Sequence, residues 1–193
     1  TGCNDDEKRH GLSRYVGKSI VWFDTSANKK KSQKRTKGGS YINEEEKRII
    51  LEILDDLKST GELKGLDIGI ITGYSGQKEL LRKSIKATGL DKIASKIDIN
   101  TLDAFQGREN DIIIYSTVRT RDSIGFQKEK ERVNVAFSRA KKLLIVCGDK
   151  NFFYNFDDQD NKFVEIIDYI SEEEECEIIQ CDGGKLFERE SNS

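Results

Sequence analysis

Short apolar runs alternate along the chain with longer segments in which apolar residues recur every three or four positions. Two of the short runs, 112–118 and 143–147, are rich in branched residues and too short for isolated helices. Such runs are typical of strands buried on both faces of a parallel sheet. Similar runs at 19–24 and 67–72 predict two further strands, and 177–180 predicts an edge strand.

Segments with helical spacing lie between the strand-like runs. The first places five apolar residues on one face: Ile49, Ile50, Ile53, Leu54 and Leu57. Asn43 can cap this helix, with Glu46 at its third position in a capping-box arrangement. Further helices are predicted from Ser75, over 128–141, and around an apolar face at 163–170.

This alternation of strands and helices predicts the fold class. It indicates right-handed βαβ crossovers, and therefore an α/β fold with a mainly parallel sheet flanked by helices in three layers. The 193 residues suffice for one full core. We predict an irregular lead-in at 1–18, one domain at 19–182 and a frayed tail at 183–193.

Composition narrows the function classes. The net charge is -2, so any attraction to nucleic acid must come from a local patch. No apolar run approaches the roughly 20 residues of a membrane span. The four cysteines form no CxxC pair and there is one histidine, which argues against zinc and favours an intracellular protein, cytoplasmic or, in a eukaryote, nuclear. Because the chain begins with Thr1 and contains no methionine, we expect a piece of a longer protein.

A basic run, KKKSQKRTK, occupies 29–37. It contains no apolar residue, which is typical of a solvated loop. The alternative is a contact with a nucleic-acid backbone, which such a run can make without fixed geometry. Both interpretations remain open at this point.

Two arginines suggest an anion site. On a helix over 128–141, Arg132 and Arg139 are seven residues apart and would lie within about 20° of each other on one stripe. Guanidinium groups bind phosphate oxygens bidentately. The alternative is that both arginines pair with surface carboxylates.

Two loops add polar candidates. In the segment 101–109, Gly107 allows a tight turn or close approach to a ligand, and Glu109 can accept hydrogen bonds from sugar hydroxyls. We expect Thr101, Glu109 and Thr120 beyond the carboxyl ends of the strands, where open α/β sheets bind ligands. At 71–78 a helix start carries Lys78 and could attract phosphate. The alternative for both loops is ordinary turn and cap chemistry, with Asp103 capping a short helix in the first, and taken alone the first loop favours that alternative.

Taken together, these segments resemble motifs IV, V and VI of superfamily 1 helicases, in the branch that contains senataxin and the helicase of nonsense-mediated mRNA decay. GIITGYSGQ resembles motif IV, NTLDAFQGRENDIIIYSTVR resembles motif V, and GFQKEKERVNVAFSRAKKLLIVCGD resembles the run through motif VI. VWFDTS and SYINEEE match the lead-in to the second domain of that family. The resemblance covers roughly 19–150.

The resemblance implies a RecA-like fold of the P-loop NTPase type. The family has two such domains in tandem, with ATP between them and a single nucleic-acid strand across their top. This chain would be the second domain of an ATP-dependent DNA or RNA helicase or translocase. ATP and Mg²⁺ would be held mainly by the N-terminal RecA-like domain of the same parent protein, because nothing in this chain matches its P-loop or acidic pair. The isolated chain is expected to be inactive.

The resemblance also implies roles for individual residues. Arg139 would be the arginine finger that reaches the γ-phosphate across the cleft, and Glu109 would accept from the ATP ribose. Nucleotide binding would further involve Gln77, Lys78, Gln106, Gly107 and, by its spacing from Arg139, Arg132. Three threonines would touch the nucleic-acid backbone: Thr72, Thr101 and Thr120.

Two positions depart from the family pattern. Lys78 stands where many members have arginine, and Gly73 replaces a common proline after the motif IV threonine.

The alternative function is a non-catalytic RecA-like module that binds nucleic acid or a partner protein through 29–37.

Overall fold

A computed structural model of the protein describes residues 11–28, 32–92, 96–105, 108–128, 130–157 and 161–187. Its strands are β1 (Ile20–Asp24), β2 (Gln33–Arg35), β3 (Tyr41–Asn43), β4 (Asp67–Thr72), β5 (Lys96–Thr101), β6 (Asn110–Ser116), β7 (Ala140–Gly148) and β8 (Cys176–Gln180). Its α-helices are α1 (Glu44–Ser59), α2 (Ser75–Thr88), α3 (Lys130–Phe137), α4 (Lys150–Tyr154) and α5 (Lys162–Glu172).

Six strands form one sheet in the order β5-β4-β6-β7-β1-β8, and every neighbouring pair is parallel. This confirms the predicted α/β class, the four core strands and the edge position of β8. Strand β5 was not predicted, because its sequence KIDINT alternates apolar and polar residues and lacks a continuous apolar run. That alternation suits its place at the other edge of the sheet.

The core has one apolar layer on each face of the sheet. Alternate residues of a strand enter different layers: Val21 and Phe23 pack with α1 and α2, whereas Trp22 packs with α3 and α5. Trp22 is fully buried, and its ring nitrogen donates to the carbonyl of Gly148 at 3.1 Å. Both faces are therefore covered, as the continuous apolar runs require.

The third helix is shorter than predicted. Val133 and Ala136 are buried against the sheet as expected, but α3 ends at Phe137 and Ala140 already belongs to β7. The amide of Arg139 donates to the carbonyl of Ala136 at 3.2 Å, which closes the last turn. Arg139 consequently lies outside the helix, so the predicted helix over 128–141, on which the stripe of two arginines depended, is wrong.

A small antiparallel hairpin stands apart from the main sheet. Strands β2 and β3 pair from Gln33 opposite Asn43 to Arg35 opposite Tyr41. The predicted basic loop therefore contains a strand in its second half. Within the described ranges, no helix has the length and apolarity needed to cross a membrane.

Close packing at Gly69, in the middle of β4, provides a test of the fold. A Cβ there would lie 2.6 Å from Phe105 Cζ and 2.7 Å from Ile113 Cδ1. We expect Gly69→Ala to lower the free energy of unfolding by about 1–3 kcal/mol, because the buried side chains must move. Gly38→Ala is the control, since its nearest neighbour would be 4.0 Å away. Urea unfolding curves measure both variants, and equal midpoints would contradict this packing.

Candidate functional site

The candidate residues lie at two opposite edges of the sheet. Glu109 and Arg139 directly precede β6 and β7 at the amino edge, whereas Thr72, Thr101 and Thr120 lie at or beyond the carboxyl ends of their strands. Strand β6 has seven residues, so the two edges are about 20 Å apart. The expectation that Glu109 lies beside Thr101 and Thr120 is therefore wrong. A parallel strand must be re-entered at its amino end, so the chain crosses back over the sheet between β5 and β6.

At the amino edge, the ladder between β6 and β7 brings Arg139 beside the loop that carries Glu109. The amide of Asn110 donates to the carbonyl of Arg139 at 3.1 Å. Glu109 is exposed and Arg139 is half-buried. The Nε atom of Arg139 is buried and has no hydrogen-bond partner among the described residues. A guanidinium with a buried, unused donor suits an anionic ligand.

Three further residues predicted to bind the nucleotide are described only in part or not at all. Gln106 and Gly107 lie outside the described residues, and for Arg132 the structure describes the backbone, within α3, but not the side chain. Across the described part of the chain, no group of three or more histidine, cysteine, aspartate or glutamate side chains could hold a metal ion.

The motif IV residues lie at the edge opposite Arg139. Helix α2 begins just after the carboxyl end of β4, so Gln77 and Lys78 lie at the carboxyl edge. Gln77 is fully buried: its Oε1 accepts from the amide of Asn43 at 2.8 Å, and its Nε2 donates to Ser116 Oγ at 3.1 Å. Gln77 and Lys78 thus follow the carboxyl end of β4, whereas Arg139 precedes β7, and their approach to the phosphates stays a prediction.

The three threonines differ in accessibility. Thr72 is aligned with Thr101 in the sheet, but it is fully buried and its hydroxyl accepts from the amide of Tyr74 at 3.4 Å. Thr120 is 7% exposed, and its Oγ1 has no partner among the described residues. Thr101 is partly exposed and lines a cleft of about 350 Å³ with Ser40, Tyr41, Ser75 and Asp103 among its walls. Thr101 is therefore the threonine that a ligand can reach.

A buried carboxylate organises this edge. Glu46 of α1 is fully buried, and its oxygens accept from Ser116 Oγ at 2.6 Å, Thr117 Oγ1 at 3.1 Å and the amide of Val118 at 2.8 and 2.9 Å. Val118 has a φ of 69°, which is unusual for a β-branched residue. Glu46 thus holds the segment that leads from β6 to Thr120.

The predicted capping box is half correct. The Asn43 side chain accepts from the amides of Glu45 and Glu46, both at 3.1 Å. The amide of Asn43, however, donates to Gln77, because the Glu46 carboxylate is engaged by Val118 instead. The role of Glu46 was missed in the sequence. The available signal was an acidic residue on the same helical face as the apolar residues of α1.

Burial also changes the acidity of Glu46. It raises the pKa of this carboxyl from its ordinary value of 4.5 to about 8, against the opposing effect of the hydrogen bonds from Ser116, Val118 and Thr117. The nearby charge of Asp149, at the end of β7, acts in the same direction as burial.

Comparison with known proteins finds relatives among helicases. A family model described as "AAA domain" matches residues 4–151. An uncharacterized ATP-dependent helicase of Methanocaldococcus jannaschii is 38% identical over 144 residues, 73% of this chain and 20% of that protein. The regulator of nonsense transcripts 1 homolog of Neurospora crassa is 38% identical over 58% of this chain and 10% of its own length. Probable helicase senataxin of Mus musculus is 37% identical over 59% of this chain and 4% of its own length.

The fold and these similarities define a RecA-like domain of the superfamily 1 helicase class, in the branch that contains senataxin and the helicase of nonsense-mediated mRNA decay. The chain belongs to the AAA domain family whose model it matches. It spans between 4% and 20% of the lengths of the three relatives described.

The raised pKa of Glu46 predicts how stability depends on pH. The folded state holds this proton more tightly than the unfolded state, so the free energy of unfolding falls as pH rises from about 5 to about 8. Glu46→Gln cannot titrate, so the decline is expected to be smaller in that variant. Urea unfolding at several pH values measures it, with exposed Glu79→Gln as the control. Identical pH dependence in Glu46→Gln and the wild type would refute the assignment.

Proposed function

We propose that this chain is the second motor domain of an ATP-dependent superfamily 1 helicase or translocase. In this proposal its amino edge faces a nucleotide held by a partner motor domain, and its carboxyl edge faces a single nucleic-acid strand. The observation that carries it is the buried, unused guanidinium donor of Arg139, a residue whose carbonyl accepts from the amide of Asn110 directly after the exposed Glu109.

Arg139 acts as the arginine finger. It can reach the γ-phosphate only when the two domains close, so closure and charge stabilisation are linked. Glu109, an acceptor when ionised, takes hydrogen bonds from the ribose hydroxyls. The resemblance to the helicase motifs adds Gln106, Gly107 and Arg132 to the proposed nucleotide contacts. Mg²⁺-ATP, held mainly by the N-terminal domain, would be the substrate: its γ-phosphoryl group passes to water and ADP leaves.

The carboxyl edge of the sheet binds the nucleic-acid strand. Thr101 is the accessible contact for the nucleic-acid backbone in the cleft, and the proposal extends to Thr72 and Thr120, which are buried at the same edge. Lys78, half-buried in the first turn of α2, belongs to this edge and offers a point charge to a backbone phosphate. The start of α2 adds the partial positive charge of a helix N-terminus.

The central strands connect the two functions. Strand β6 runs from the residue after Glu109 to Ser116, which bonds to both Glu46 and Gln77. When ATP is hydrolysed, the amino edge of the sheet moves. The rigid sheet transmits this movement to the carboxyl edge, which binds the nucleic-acid strand, as in hinged domain closure. Alternating tight and weak binding of the nucleic-acid strand then moves the motor along that strand.

The second candidate is a RecA-like module without catalytic function that binds nucleic acid or a protein partner. The exposed cations of the β2–β3 hairpin favour it. In that case Arg139 is dispensable, whereas the motor function requires it, and this difference separates the two candidates.

The arginine finger is tested in the parent protein that carries both motor domains. We expect Arg139→Ala to reduce ATP turnover by about 10³–10⁵-fold, because an arginine finger stabilises charge that develops in the transition state. Single-strand binding is expected to stay close to that of the wild type. Steady-state hydrolysis and fluorescence anisotropy measure the two quantities.

Two variants serve as controls for that experiment. Arg139→Lys keeps the charge but loses the bidentate fork, so it should recover only a small part of the activity. Arg82→Ala removes an exposed arginine in the middle of α2, whose guanidinium donates to the carbonyl of Ile99 in the edge strand β5, and should leave turnover unchanged. Near-normal turnover in Arg139→Ala would contradict the proposed motor function.

A further inference from the structure

We propose that the β2–β3 hairpin is a phosphate-binding arm that extends the strand-binding edge beyond the helicase motifs. The hairpin places three exposed cations, Lys34, Arg35 and Lys37, beside the carboxyl edge of the sheet. This inference rests on the proposed function, because it assumes that a nucleic-acid strand crosses that edge.

The hairpin is attached to the segment that follows β6. Gln33 of β2 is buried, and its Oε1 accepts from the amide of Thr120 at 2.9 Å. The guanidinium of Arg121 donates to the carbonyl of Gln33 at 3.4 Å. The base of the hairpin is thus hydrogen-bonded directly to Thr120, which the resemblance to the helicase motifs predicts to contact the nucleic-acid strand.

A second set of contacts attaches the hairpin to the start of α2. Ser40 Oγ accepts from the amide of Gly76 at 3.0 Å. The ring of Tyr41 lies edge-on to Tyr74 with 5.6 Å between centroids, and the guanidinium of Arg119 stacks on its face at 4.0 Å. Contacts on two sides fix the direction of the hairpin, so its cations have a defined place at the edge.

These cations are not neutralised locally. From Thr25 to Asn43 the sequence contains no aspartate or glutamate. Among the described residues, no carboxylate forms an ion pair with Lys34, Arg35 or Lys37, although other arginines such as Arg14 and Arg48 are paired. In a chain whose net charge is -2, such a group of unpaired cations is a local attraction for an anion.

A nucleic-acid backbone fits this surface better than an acidic protein does. The arm adjoins the cleft that contains Thr101, and Ser40 and Tyr41 of the hairpin line the same cleft. The surface is therefore continuous with the strand-binding edge. Flexible lysine and arginine side chains can follow a repeating phosphate backbone without reading its sequence.

The test compares two charge-matched triple variants of this chain. K34Q/R35Q/K37Q removes the cations of the arm. K58Q/K64Q/K86Q removes three exposed lysines near the ends of α1 and α2, at the amino edge. Fluorescence anisotropy measures binding of labelled oligothymidylate and oligouridylate strands over a range of salt concentrations. Circular dichroism checks that each variant is folded.

The arm variant is expected to bind about tenfold or more weakly at low salt. The slope of log affinity against log salt concentration should fall by about 2, since each phosphate contact on a single strand contributes about 0.7. The control variant is expected to keep the wild-type slope, because its lysines lie away from the strand.

Other outcomes separate failure of this inference from failure of the proposed function. If wild-type chain binds no strand at all, the strand-binding edge and the arm are both wrong. If the wild type binds and the arm variant matches the control variant, the arm is wrong while the proposed edge stands. If the arm variant keeps strand binding but loses binding to polyglutamate, the hairpin serves an acidic protein partner, which overturns the inference.

Discussion

A buried carboxylate, that of Glu46, holds together the edge of the sheet on which nucleic-acid binding would depend. It is the acceptor for groups at the end of β6, and it continues through Ser116 to Gln77 and from there to Asn43. The starts of α1 and α2 are thereby joined to one strand end by hydrogen bonds that are shielded from water. Loss of one partner would leave the others buried and unsatisfied, which is costly in a low-dielectric interior.

The parallel sheet explains why the candidate residues divide into two groups. Each connection must return to the amino edge before the next strand begins. Residues that precede strands, such as Glu109 and Arg139, therefore collect at one edge. Residues that end or follow strands, such as Thr101 and Thr120, collect at the other. Under the proposed function, a nucleotide and a nucleic-acid strand would bind at opposite edges of the same sheet.

Much of the fold could be read from local pattern. The four core strands, the edge strand β8 and the first helix with its Asn43 cap were predictable because apolar runs and helical spacing are local properties. Strand β5 was missed because its polar alternation does not stand out from a loop. The end of α3 was misplaced because pairing of β7 with β6, a long-range contact, draws residues after Ser138 into the sheet.

The sequence by itself determined the order of elements, the α/β class and the helicase motifs, because these depend on residue identity and spacing along the chain. Only the tertiary structure decided which motif residues meet. It separated Lys78 from Arg139, brought Glu109 beside Arg139 and assigned Glu46 to the end of β6. The physical reason is that crossovers and buried hydrogen bonds join residues about 70 positions apart, as Glu46 and Val118 are, and no local pattern records such contacts.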